Sequence, residues 1–148
     1  MKKYISVIIV IMLVLCLSAC GKHKALTTNE FSSIMSKDGY LVNDVTNNYK
    51  NNDLIIKATV AYNSDYQMEF YESKGKSQAH EFFDYNKQLL YDANVSKVEE
   101  EEGNYEKYSV IKDDKYVYIS RIDNTIVFAY TNSEFKDRID ASIEKIGY

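Results

Sequence analysis

Beyond an opening apolar run over residues 4–21, hydrophobic positions along the chain follow two periods. Three segments repeat every three or four residues, the spacing that lines one side of a helix. In the first, Phe31, Ile34 and Met35 share a side and Asp38-Gly39 supplies a stop signal. In the second, residues 77–92, the residues Ala79, Phe82, Phe83, Leu89, Leu90 and Ala93 gather on one face. It is the longest of the three and is expected to be the central packing helix. In the third, Phe135, Ile139, Ile143 and Ile146 form the stripe. Thr27 and Thr131 each stand three residues before a glutamate, Glu30 and Glu134. That spacing predicts a capping box at both helix starts, the threonine oxygen taking one free amide and the glutamate another.

The remaining segments alternate with period two and read as strands over 40–45, 54–62, 66–71, 95–101, 105–112, 116–122 and 125–131. Asn63-Ser64-Asp65, Gly103-Asn104, Asp113-Asp114 and Asp123-Asn124 have turn composition, and connections this short require antiparallel neighbours. The order is therefore α-βββ-α-ββββ-α, an α+β domain expected as a curved antiparallel sheet with helices packed on one face. A weak internal duplication is one reading, since Phe31 and Phe83 each open a helix that leads to a strand, a turn and a hairpin. Leu54, Ile56, Ala58, Val60 and Tyr62 are expected on one side of their strand, with Lys57 and Thr59 opposite. Tyr66, Met68 and Phe70 likewise oppose Gln67 and Glu69. The last two strands are apolar on both sides and should be central.

The opening run bears on location. Met1-Lys2-Lys3 is basic, residues 4–17 are apolar apart from Ser6, and Leu17-Ser18-Ala19 offers small residues before Cys20. This is the three-part pattern of a secretory signal. An uncleaved anchor is the alternative, because the uncharged run of 18 residues is at the lower edge of a bilayer span. "LSACG", residues 17–21, resembles the lipobox of bacterial lipoproteins. The resemblance implies that residues 1–19 are removed, that Cys16 leaves with them, and that Cys20 becomes the first residue and carries a diacylglyceryl lipid, with palmitate-type acyl chains. Two acyl chains hold a protein stably on a membrane where one does not. A free cysteine in an ordinary signal is the plainer reading. Zinc fails on ligand count, as the only two cysteines, with three residues between them, fall short of a four-ligand set. Residues 20–26 then form the lipidated start and a short tether, about 20 Å if six residues are fully extended. Residues 27–148 form a single domain. Among other proteins, "EFSSIMSKDGYLVNDVT", "YQMEFYES" with "AHEFF", and "SRIDNTIVFAY" resemble a group of small Gram-positive lipoproteins of no established activity. That resemblance implies anchor and architecture, and no mechanism.

Composition narrows the partners. The formal charge is −4, and it becomes −6 once Lys2 and Lys3 are removed. An acidic chain without clustered Lys and Arg is a poor partner for nucleic acid. Lys, Asn, Ile and Tyr are abundant while Pro and Trp are absent, which fits a low-GC bacterium. No cofactor is expected beyond the lipid on Cys20, and no metal.

Four patches are candidates for chemistry. Tyr116, Tyr118, Phe128 and Tyr130 would cluster if the last two strands pair as a hairpin, giving a Tyr-rich binding face; plain coverage of a sheet is the alternative. Arg121 is in phase with Val117 and Ile119 near a strand end, where a guanidinium needs a carboxylate or an anionic ligand. "SKGKS", residues 73–77, has the end of a phosphate loop, yet Phe70 stands where that loop needs glycine. The acidic run 99–102 lacks the spacing of a calcium loop and reads as a solvated strand end. The only histidines are His23 and His80, no nucleophile motif accompanies them, and a dispersed carboxylate pair would assemble in space rather than in sequence. The sequence thus predicts a lipid-anchored module on the outer face of the cytoplasmic membrane, non-catalytic, binding an envelope protein, a peptide or a small ligand. A small-ligand carrier or an envelope hydrolase is the alternative.

Overall fold

The computed structural model describes residues 23–148; the expected signal segment, Cys16 and Cys20 lie outside them. Helix α1 is Thr28–Lys37, α2 is Lys76–Leu90 and α3 is Lys136–Ile146. The strands are β1 Leu41–Asp44, β2 Ile55–Tyr62, β3 Gln67–Ser73, β4 Lys97–Glu102, β5 Tyr105–Lys112, β6 Lys115–Ile122 and β7 Thr125–Asn132. All seven join one open antiparallel sheet in the order β1-β2-β3-β7-β6-β5-β4. The α+β class, the element order and the central place of β7 are as the hydrophobic pattern predicts.

The helices, however, are divided between the two faces. On one face, Phe31 and Met35 of α1 and Ile139, Ile143 and Ile146 of α3 share a core with Met68, Phe70, Tyr116, Tyr118 and Val127. On the other, Ala79 and Phe83 of α2 pack on Tyr71, Tyr108, Val117, Ile119 and Ile126. The expectation of one helical face fails because β3, β6 and β7 are apolar on both sides, and each apolar side needs a cover. The same division bears on duplication. In the antiparallel order β1, β2 and β3 run the same way as β4, β5 and β6, so a two-fold axis exchanging the two meanders would lie along β7 and swap the faces, and α1 and α2 lie on opposite faces as that axis requires.

Local chemistry explains the other departures. The capping box forms at α1, where Glu30 N donates to Thr27 Oγ1 at 3.2 Å and Thr27 N to Glu30 Oε2 at 2.8 Å. It does not form at α3: Thr131 stays paired in β7, and a 3-10 turn over Ser133–Phe135 starts the helix instead. In β2 a bulge sets Ile55 opposite Ser73 and Lys57 opposite Glu72. The extra residue reverses the alternation, so Ile55 is 5% exposed and Ile56 46%. Leu89, expected in the α2 stripe, is exposed. His23 stacks on Tyr105 with ring centroids 4.3 Å apart, Asn104 Nδ2 donates to the His23 carbonyl at 2.8 Å, and Ala25 and Leu26 pack on the core. Residues 23–26 therefore belong to the domain rather than to a free tether.

Candidate functional site

The turns decide where the aromatic residues go. Asp123-Asn124 is a two-residue connection, so Ile122 pairs with Thr125, Tyr118 with Ala129 and Tyr116 with Thr131. Even-numbered residues of β6 thus share a face with odd-numbered residues of β7. Tyr116 and Tyr118 lie beneath α3, and Phe128 and Tyr130 are on the opposite face. The expected single Tyr-rich face is corrected to two separate pairs.

Phe128 and Tyr130 line an open groove of about 580 Å³, together with Tyr62, Gln67 and Glu69 on the same face and with the 63–65 turn and Lys115 at the rim. It exists because α2 packs on β6, β3 and β7 but leaves one end of these strands bare. Tyr130 is 54% exposed and Phe128 half-buried. Glu69 sits opposite Val60 and Phe128, and its diagonal same-face neighbours include Tyr62 and Tyr130. Its carboxylate accepts from Gln67 Nε2 at 3.0 Å and from the Tyr71 hydroxyl. Tyr71 also meets the Tyr49 hydroxyl at 2.9 Å; burial, and after it the Glu69 charge, raise its pKa far above the ordinary phenol value. At the rim Arg138 Nη1 donates to Asp65 Oδ2 at 2.7 Å, and its guanidinium lies 5.0 Å from the Tyr66 ring centre and 5.7 Å from that of Phe135.

Tyr116 and Tyr118 line a separate crevice of about 280 Å³ with Val98, Lys107, Ser109, Asp140 and Ile143. The Tyr116 hydroxyl donates to Asp140 Oδ1 at 2.5 Å, and Lys136 pairs with the other carboxylate oxygen. Tyr118 is 1% exposed, and its hydroxyl and that of Ser120 reach no partner in bonding geometry. The Tyr105 and Ser120 hydroxyls are still near enough to influence Tyr118, whose pKa is raised chiefly by burial.

Arg121, 8% exposed, is a structural cation. Its Nε pairs with Glu106, the residue directly opposite on β5, and its Nη1 donates to the Asp123 carbonyl at 3.0 Å. The same Glu106 oxygen is 3.0 Å from His80 Nδ1, while His80 Nε2 is 3.2 Å from Asp84 Oδ2. A carboxylate thus satisfies Arg121, and it does not join the aromatic candidates in the groove. Lys76 of "SKGKS" reaches Asp123 Oδ1 at 2.6 Å. The acidic run forms the exposed edge strand β4, where Glu99 meets Lys87 at 2.8 Å and Glu100 meets Lys107 at 2.9 Å. Charge on an edge strand discourages pairing with another sheet. Sequence reading missed Glu69 and Tyr62 as groove residues, because the β3–β7 pairing that sets Glu69 opposite Phe128 joins strands distant in sequence and no turn announces it.

Among the described residues no helix is long and apolar enough to cross a membrane, and no cluster of His, Cys, Asp and Glu is arranged to hold a metal. No protein-family model matches the chain, and no curated protein matches it either. Its fold is similar to the crystal structure of a GTP-binding regulator from Thermotoga maritima, with a TM-score of 0.50 and 13% identity over 82% of this chain and 85% of that one. At that identity the likeness concerns the fold alone.

Proposed function

We propose that this protein is a lipid-anchored, extracytoplasmic, non-catalytic binding module that presents the groove beside Tyr62, Glu69, Phe128 and Tyr130 to a partner in the cell envelope. The observation that carries this reading is the distance along the chain between anchor and domain. Only Gly21 and Lys22 separate Cys20 from His23, which is already packed on Tyr105. His23 is next to the 103–104 turn, and that turn meets the β6–β7 turn through the Asp123 N to Asn104 O bond of 3.0 Å. The groove, with Lys115 and Asn132, is at the other end of the same strands. Eight residues at roughly 3.3 Å each put it about 25 Å from the anchored end. A site held there faces away from the bilayer.

Changing Cys20 to Ala tests the anchor. The variant is expected to lose metabolic lipid labelling and to leave the membrane fraction; labelling that survives the substitution refutes it. A second reading, a small-ligand carrier, is favoured by the crevice under α3, where the buried Tyr118 hydroxyl has no bonding partner. The GTP binding of the Thermotoga regulator has no counterpart cation here, because Lys76, the one phosphate-loop-like lysine, is engaged by Asp123.

A further inference from the structure

We infer that the groove binds a cationic side chain, arginine or lysine, of a peptide or protein partner, with Glu69 as its counter-charge and Tyr62, Phe128 and Tyr130 as its walls. The inference rests on the reading of this groove as the domain's binding site and names what it takes. Glu69 is bonded by an amide and a phenol, both neutral donors. Among the described residues it has no ion-pair partner, and Lys115 at the rim turns to Asn132 instead. An unneutralised carboxylate framed by aromatic rings attracts a cation twice, through its charge and through the negative faces of the rings.

The rim already contains this chemistry in intramolecular form. Arg138 lies over Tyr66 and Phe135 while it pairs with Asp65, and both Asp65 and Tyr66 line the groove. Glu69 offers the same combination of carboxylate and rings without the arginine. The groove is open and, at about 580 Å³, far larger than one guanidinium or ammonium group, so the chain that carries the cation has room beside it. Its position at the end of the sheet remote from His23 favours a peptide or protein over a lipid headgroup.

The test titrates the full chain, in non-ionic detergent, with acetyl-Gly-Gly-Arg-Gly-Gly-amide and with its neutral citrulline counterpart, followed by NMR. The arginine peptide is expected to move the Glu69, Phe128 and Tyr130 resonances and to bind at least tenfold tighter than the citrulline peptide. Glu69→Gln should weaken it about tenfold. Tyr130→Ala, at an exposed position that does not endanger folding, should weaken it several-fold. Glu101→Gln, an equal charge change on the edge strand β4, should leave it within twofold. Equal affinity for the two peptides, no binding, or an equal loss in the two glutamate variants overturns the proposal. Tighter binding of free choline than of the arginine peptide also overturns it, in favour of a small cation. None of these readouts depends on lipid attachment, so a failed anchor and a failed cation site are told apart.

Discussion

Arg121 and Glu106 face each other across the β5–β6 pairing, both almost wholly removed from water. Transferring a guanidinium and a carboxylate into such a place costs several kcal/mol per ion, about as much as their attraction returns. The pair is therefore better regarded as a mutual requirement than as a source of stability. Glu106→Gln leaves Arg121 buried beside a neutral amide and should cost about 3–5 kcal/mol in chemical denaturation. Replacing both residues together, Glu106→Leu with Arg121→Met, should be near neutral or stabilising by about 1–4 kcal/mol. A double variant as unstable as the single one would mean that His80 and Asp84 draw more from Glu106 than geometry implies.

At the scale of elements, the same turns that were easy to find in the sequence carried more information than their composition. Gly103-Asn104, Asp113-Asp114 and Asp123-Asn124 are all two-residue connections, and each flips the parity of facing residues from strand to strand. That rule alone separates Tyr116 and Tyr118 from Phe128 and Tyr130, and it was available in the sequence. The bulge that puts Ile55 in and Ile56 out was not, since Ile-Ile is equally apolar in either register and the partner strand decides. Thr27 and Thr131 show the same limit: identical spacing caps one helix, while tertiary pairing keeps the other threonine in β7. Glu69 was legible as a polar strand residue but not as an unpaired charge, because pairing is a property of neighbours distant in sequence. The β5–β6 turn gives an element-scale test. Asp113 and Asp114 both have positive φ, 49° and 60°, a backbone that costs an L side chain energy and a glycine little. Asp114→Gly should raise stability by about 0.5–1 kcal/mol, measured as a shift of the denaturation midpoint with an unchanged slope.

Over the whole molecule, the two-sided sheet is closed by tyrosine hydroxyls as much as by aliphatic packing. Tyr40 bridges Tyr66 at 2.5 Å and Ser142 of α3 at 2.9 Å; Tyr148 joins Thr125 of β7; Tyr116 joins Asp140 of α3. Tyr49 and Tyr71 do the same beside α2. Burial is the leading cause that pushes Tyr40 and Tyr148 up to about 12 from an ordinary 10, and it raises Tyr71, Tyr116 and Tyr118 further. Each folded-state phenol thus keeps its proton at a pH where the unfolded chain releases it. Stability is fully present below pH 10 and is lost above it, because there the unfolded state binds fewer protons and the slope of unfolding free energy with pH is negative. Because these hydroxyls tie α3 to one face and the 3-10 turn Thr46–Tyr49 to the other, the loss should be one event rather than a fraying of one layer. Heating at a series of pH values should give a midpoint that stays level to about pH 9.5 and then falls steeply. Beyond the contribution of the exposed tyrosines, such as Tyr85, Tyr91 and Tyr130, tyrosinate absorbance near 295 nm should rise together with the loss of helical and sheet circular dichroism. Absorbance that rises smoothly while both signals persist to pH 12 would mean that these hydroxyls are open to water and that the faces are held by their apolar cores alone.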